Sequence, residues 1–365
     1  MRPAWPPAAR STPVRGDFSA VAALLDEARA ARAFPAAAVE VGRPDGPIWQ
    51  HAAGTLSYAP GAPATTLDTV FDLASLTKVI ATAPLVMRLM LGRRLLLDAP
   101  VRALVPEWRG ADRAGVTVRD LLEHTAGLTA WWDLFRRNAS PREFAHEIAE
   151  LPLEYAPRSR SVYSDLGFLL LGFVVAERGQ APLDEQFEAH LGDLGLGYRP
   201  PAERRGNIAP TERDTAWRGR LLVGEVHDEN AAALDGVAGH AGLFGSAPQV
   251  GAYARLVLQT LKAPTRLGPP WLLSRFLKRS RVPASSRALA WDTMRPTSSC
   301  GARMSPAAFG HTGFTGTSLW IDPLRDVYVV LLTNRVHPVR PDSRDDGLAR
   351  LRPRVHDAAM AGLGW

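Results

Sequence analysis

Phe71-Asp-Leu-Ala-Ser-Leu-Thr-Lys-Val-Ile80 decides how this chain is read, because it sets Lys78 three residues after Ser75. Residues three apart on a helix share a face, with Cβ atoms roughly 5–6 Å apart, so the amine reaches the hydroxyl if Ser75 opens a helix. A helix N-terminus also favours negative charge developing there. The pair reads as an acyl-transfer nucleophile with its proton acceptor. Of the 43 Lys+Arg residues only Lys78, Lys262 and Lys278 are lysines. Arginine is the default cation, and a guanidinium cannot give up its proton, so a proton-relay position is where lysine must be kept. With 18 serines and three lysines in 365 residues, chance would supply a Ser-x-x-Lys only about 0.15 times.

The length fits about two domains and a large core. A hydrophobic share of 46% and a charged share of 22% are those of a globular protein. The longest apolar run, Leu166 to Ala176, falls short of the roughly 18 residues a membrane span needs. Residues 1–16 are rich in Pro, Ala and Arg without periodicity, and are expected to be a disordered or loosely docked arm. No apolar stretch precedes Pro13, so the start does not read as a secretory signal and the expectation is a cytoplasmic protein. A start codon upstream of a true signal would make it periplasmic or secreted. Cys300 is the single cysteine, which excludes an internal disulfide. The net charge of +6 is spread over scattered arginines with acids between them. No basic run alternates with aromatics, so nucleic acid is not an expected partner. The nine histidines show no metal-ligand spacing, and neither a metal nor another cofactor is expected.

Working outward, Phe18, Val21, Leu24, Leu25 and Ala28 have helical spacing, and Ala37–Val41 and Ile48–Ala52 flank an Asp45-Gly46 turn signal. The helix opened by Ser75 should run to Leu91 with a kink at Pro84. The middle of the chain reads as helices: the end formed by Leu121–Leu128, then Phe144–Leu151, Phe168–Arg178 and Gln249–Leu261. After Trp291 the pattern turns to β, with Ala308–Gly313, Ser318–Ile321, an Asp322-Pro323 turn and Val327–Thr333. Asp345–Leu363 should close the chain as a helix interrupted near Pro353. The resulting fold class is α/β (α+β), an antiparallel sheet built from both chain ends and flanked by helices, with a mainly α-helical inserted domain. The expected units are the arm, 17–97 with 291–365 as the α/β domain, and 98–290 as the helical one. A cleft at their junction is a usual ligand site.

The companions of a catalytic Ser-x-x-Lys follow in order: Tyr163-Ser164-Asp165, then His311-Thr312-Gly313. With Leu122-Glu-His-Thr-Ala-Gly-Leu, Val226-His-Asp-Glu-Asn, Gly239-His-Ala-Gly-Leu-Phe and Leu332-Thr-Asn-Arg-Val-His-Pro338, the chain resembles the serine β-lactamase and penicillin-binding-protein superfamily. The likeness runs from about Ala36 to Pro338 and is to the class C-like branch, with its D,D-peptidases, esterases and muropeptide amidases. The resemblance implies that Ser75 is the nucleophile, Lys78 its partner and Tyr163 the acid/base of the second motif. It further implies that His311, Thr312 and Gly313 line the cleft, and that the N–H groups of Ser75 and Phe314 receive the oxyanion.

Two departures from the family pattern bear on substrate. The second motif usually ends in Asn, whereas ionised Asp165 only accepts hydrogen bonds. Beside Lys78 it would favour the ammonium and so argue for Tyr163 as base, although a neutral Lys78 can also act directly. The third motif usually begins with Lys, whereas His311, with an ordinary pKa of about 6.5, is mostly neutral at pH 7 and would hold a carboxylate less strongly. Both changes favour an ester or amide hydrolase over an efficient β-lactamase.

Other residues carry plainer readings. Asp165 serves equally well as the cap of the following helix. His124 reads as a buried, hydrogen-bonded turn residue, and His240 as part of a cleft wall. Trp131-Trp132 fits a core pair better than a lining of the substrate opening. The expected protein is a serine hydrolase that resolves a Ser75 acyl-enzyme with water, a carboxylesterase or muropeptide amidase acting on a small ester, amide or peptidoglycan-derived substrate. The alternatives are a D,D-carboxypeptidase or weak β-lactamase, and, from another class, a penicillin-binding sensor or scaffold that does not turn over.

Overall fold

The computed structural model describes residues 16–341 and 347–365. Apart from Gly16, the expected N-terminal arm lies outside the described residues. Six strands form one antiparallel sheet: β1 (Ala36–Arg43), β2 (Gly46–Gly54), β3 (Asp292–Thr293), β4 (Phe309–Thr312), β5 (Ser318–Asp322) and β6 (Val327–Thr333). Their order is β2-β1-β6-β5-β4-β3, so strands from near both chain ends meet at the β1–β6 pair. There Val39 lies opposite Leu331 and Val41 opposite Val329.

Alternation along the strands sends successive side chains to opposite faces. Ala37, Val39, Val41, Trp320, Val329 and Leu331 pack on one face. They meet Val21 and Leu25 of α1 (Ser19–Ala30) and the C-terminal helix residues Val355 and Ala359. Ala38, Leu319, Ile321, Val330 and Leu332 face the larger core on the other side. Each valine, leucine or isoleucine so buried stabilises the fold by roughly 1.5–3 kcal/mol relative to leaving it exposed. Both faces of the sheet are covered, which is why its central strands read as nearly continuous apolar runs.

The expected helix after Ser75 takes a different local form. A π turn, Lys78–Thr82, leads into α2 (Ala83–Leu91), with the Ala83 N–H donating to the Lys78 carbonyl five residues back. Pro84 has no N–H and crowds the carbonyl four residues earlier, and the widened turn accommodates it. Further along, after two shorter helices, Val118–Leu122 and Pro141–Glu150, comes α3 (Asp165–Gly179), with Leu166, Phe168, Leu169, Leu170, Leu171, Val174 and Val175 all buried. An all-round apolar surface marks a central core helix. No single described helix is long and apolar enough to cross a membrane.

The sheet's second face is packed by α4 (Ala247–Lys262), whose Val250, Ala254 and Val257 are buried. The last helix, α5 (Gly347–Gly362), runs through Pro353 without the expected interruption. Leu348, Leu351, Val355 and Ala359 anchor its buried side, so packing outweighs the loss of one backbone donor.

Candidate active site

Ser75 stands on a tight turn between the short strand Phe71–Asp72 and the helical run. Ala74, just before it, has φ of 47°, a left-handed conformation uncommon for a residue with a Cβ. Neighbouring bonds hold this turn. The Asp72 carboxylate accepts from the N–H of Ala74 at 2.8 Å and of His227 at 2.7 Å. Thr315 Oγ1 donates to the Asp72 carbonyl at 2.7 Å, and Thr317 Oγ1 to the Leu73 carbonyl at 3.0 Å. The nucleophile turn is thereby tied to the loop after β4. Ser75 is half-buried, at the floor of a cleft of about 690 Å³.

The structure brings the three residues of the first two motifs together. Lys78 Nζ lies 2.9 Å and Tyr163 OH 2.8 Å from Ser75 Oγ. Lys78 Nζ also donates to Asp165 Oδ1 at 2.7 Å and to the His240 carbonyl at 3.1 Å. Three acceptors thus take the three protons of an ammonium, leaving no lone pair aimed at Ser75. Burial works against the charge, but the Asp165 carboxylate outweighs it and raises the Lys78 pKa. Burial also raises the Tyr163 phenol, against the opposing pull of Lys78. The resting site therefore holds a lysinium and a neutral phenol. Asp165 begins α3, but its carboxylate faces Lys78; the cap residue of α3 is Ser164, without a side-chain cap bond.

A close approach sets the third acceptor of Lys78. A Cβ on Gly239 would lie 2.2 Å from the Phe168 carbonyl, and one on Gly172 would lie 2.8 Å from the Gly239 N. Only glycines let the 238–240 segment press onto α3 and present the His240 carbonyl to the amine. The His240 ring, a cleft wall as expected, pairs with Asp228 at 2.7 Å. Burial alone would raise the Asp228 carboxyl, but His240 and the Ala231 N–H hold it well below the usual range.

His311, Thr312 and Gly313 line the opposite wall on β4 and its exit. His311 is buried, and burial together with Arg287 holds its pKa well below 6.5. Its Nδ1 sits 2.8 Å from the Thr312 carbonyl, which fixes the proton on that nitrogen and leaves Nε2 as the acceptor. The Ser75 and Phe314 N–H groups have no acceptor among the described residues, which suits a pair of oxyanion donors. The Phe314 side chain is half exposed and stacks on His227, with ring centroids 5.6 Å apart. His124 is a buried turn residue, as expected, with φ of 58°. Its Nδ1 accepts from the Ser164 N–H at 3.0 Å, and its ring lies 4.7 Å from that of Tyr163.

Two expectations are corrected. The cleft does not depend on His311 for a cation: an Arg287 guanidinium nitrogen lies 3.5 Å from His311 Nε2, and the guanidinium carbon is 4.9 Å from the Tyr163 ring centroid. Sequence reasoning missed Arg287 because one arginine among forty carries no local signal. Trp131 and Trp132 are not a core pair. They are 42% and 40% exposed, and Trp131 lines the cleft mouth because the 129–133 segment leaves the core as an open loop.

Known proteins resemble this chain. The family model described as Beta-lactamase matches residues 21–353. A Salmonella gallinarum protein provisionally named D-alanyl-D-alanine carboxypeptidase is 31% identical over 314 residues, covering 74% of this chain and 71% of its own. A Salmonella agona protein of the same name is 30% identical over 310 residues, with the same two coverages. Among solved structures, EstCE1, a hydrolase with promiscuous acyltransferase activity, superposes with a TM-score of 0.74 at 20% identity, covering 94% of this chain and 98% of its own. A β-lactamase/D-alanine carboxypeptidase from Pseudomonas syringae gives 0.73 at 17% identity, covering 93% and 98%. The solved structures share the fold.

Proposed function

The chain belongs to the beta-lactamase family, and from that membership we propose a serine hydrolase that forms an acyl-enzyme on Ser75 and acts on an amide or ester whose leaving group bears a carboxylate. The observation that carries this reading is the Ser75 hydroxyl held between the Lys78 ammonium and the Tyr163 phenol. As Oγ attacks the carbonyl carbon, its proton passes to the Tyr163 oxygen, and the phenol's own proton passes to the leaving amine or alcohol. Tyr163 is a relay that ends each step neutral, so its raised pKa is no obstacle. Lys78 keeps its charge and stabilises the negative charge that builds on Oγ. The N–H groups of Ser75 and Phe314 receive the carbonyl oxygen. Water then attacks the ester, giving its proton through Tyr163 back to Ser75 as the acid departs.

Within the small esters, amides and peptidoglycan-derived substrates expected from sequence, Arg287 favours carboxylate-bearing ones, the class for which the Salmonella relatives are named. A guanidinium beside a neutral His311 is a fork suited to a carboxylate. The exposed aromatics at the mouth, Trp131 and Phe314, favour a carboxylesterase as the second reading. The test compares Arg287→Ala with the parent on p-nitrophenyl acetate and on a peptide ending in D-Ala-D-Ala. The KM for the peptide should rise about tenfold or more, as expected for losing a charged hydrogen-bond partner, while the acetate ester is little changed. Equal effects on both substrates would remove the carboxylate from the proposal.

A further inference from the structure

Behind the wall that carries Tyr163 lies a second groove, of about 570 Å³, lined by Arg119, Arg158, Arg275, Lys278, Arg279 and Arg281 around Asp120 and Glu123. Three of the cations are committed. Arg119 pairs with Asp98 at 2.9 Å, Arg158 with Asp120 at 2.7 Å, and Arg279 donates to Thr293 Oγ1 at 2.7 Å. Arg275, Lys278 and Arg281 are exposed and have no hydrogen-bond or ion-pair partner among the described residues. Both carboxylates are engaged by other groups. Asp120 is buried under Arg158, and burial raises the Glu123 carboxyl, which accepts from Ser280 Oγ at 2.6 Å. Uncompensated like charges in a concave surface focus a positive potential that draws anions.

The groove and the cleft share walls. The Ser280 N–H donates to the Arg287 carbonyl at 2.7 Å, so one loop has Ser280 on the groove and Arg287 on the cleft. Ser161 Oγ donates to the Glu123 carbonyl at 3.1 Å, two residues before Tyr163. We infer that this groove is an exosite for the acidic part of an extended peptide substrate, whose carboxylates sit among Arg275, Lys278 and Arg281 while the scissile bond lies at Ser75. Guanidinium forks suit carboxylates, and the Glu123 carboxylate, with one oxygen on Ser280, offers an acceptor to a peptide N–H group that a pure polyphosphate would not use. The assignment of a peptide rests on the function proposed above.

The test uses the full chain and the triple variant Arg275→Ala, Lys278→Ala, Arg281→Ala. Anisotropy of a fluorescein-labelled hexaglutamate peptide should show the Kd rising about tenfold in the variant, as expected for three exposed pairs of modest strength each, and rising again between low and high NaCl. Turnover of p-nitrophenyl acetate should be unchanged, which also reports that the variant is folded. A D-Ala-D-Ala peptide with an acidic extension should show the KM rise with kcat preserved. Equal peptide affinity in both proteins overturns the exosite, as does binding of tripolyphosphate without binding of the peptide. Peptide binding lost in the variant while the parent hydrolyses no ester or peptide would leave the groove standing and remove the hydrolase.

Discussion

Lys78→Met should lower kcat/KM for p-nitrophenyl acetate by about a thousandfold or more. The substitution removes the charge that faces Ser75 Oγ and leaves Asp165 without the partner it meets at 2.7 Å. Breaking a buried pair from one side costs on the order of 3 kcal/mol, so the variant should also melt at a lower temperature. Adding Asp165→Asn supplies a neutral side chain in place of the stranded carboxylate. The double variant should recover most of the stability and none of the activity. Thermal melts beside initial rates separate the two effects, and recovery of activity in the double variant would show that Lys78 serves the fold alone.

Tyr163→Phe tests the relay itself. The ring keeps its place against His124 at 4.7 Å and beneath Arg287 at 4.9 Å, so the melting temperature should hardly move. Only the hydroxyl 2.8 Å from Ser75 Oγ is lost. A general acid–base group contributes about a hundred- to ten-thousandfold, and the fall should appear in kcat with little change in KM. A loss below tenfold would return the proton to Lys78, which would then have to act as a neutral amine despite its three acceptors.

Much of the fold was legible because it is written in local periodicity. The β1–β2 hairpin, the Asp322-Pro323 turn between β5 and β6, and the apolar α3 all appear where alternation, turn residues and run length put them. The Pro353 expectation went astray because packing decides how a helix absorbs a proline. At the site, Ser75 and Lys78 are three residues apart and share a turn, so their pairing was readable. Asp165 was ambiguous because its cap role is local, whereas its bond to Lys78 spans 87 positions. Arg287 was invisible for the same reason: its approach to His311 depends on how the 280–291 loop leads into β3 beside β4, and no spacing encodes that. His227 and Asp228 stood in a quoted motif, but their contacts with Asp72 and His240 needed three dimensions.

The claim on which the rest depends is that Ser75 Oγ becomes covalently acylated. Intact-protein mass spectrometry after rapid quenching of an incubation with p-nitrophenyl acetate reads this directly, with Ser75→Ala as control. One acetyl adduct should map to the peptide carrying Ser75, decay as product accumulates and be missing from the variant. An adduct that forms equally in Ser75→Ala, or ester turnover that persists without Ser75, would contradict that claim.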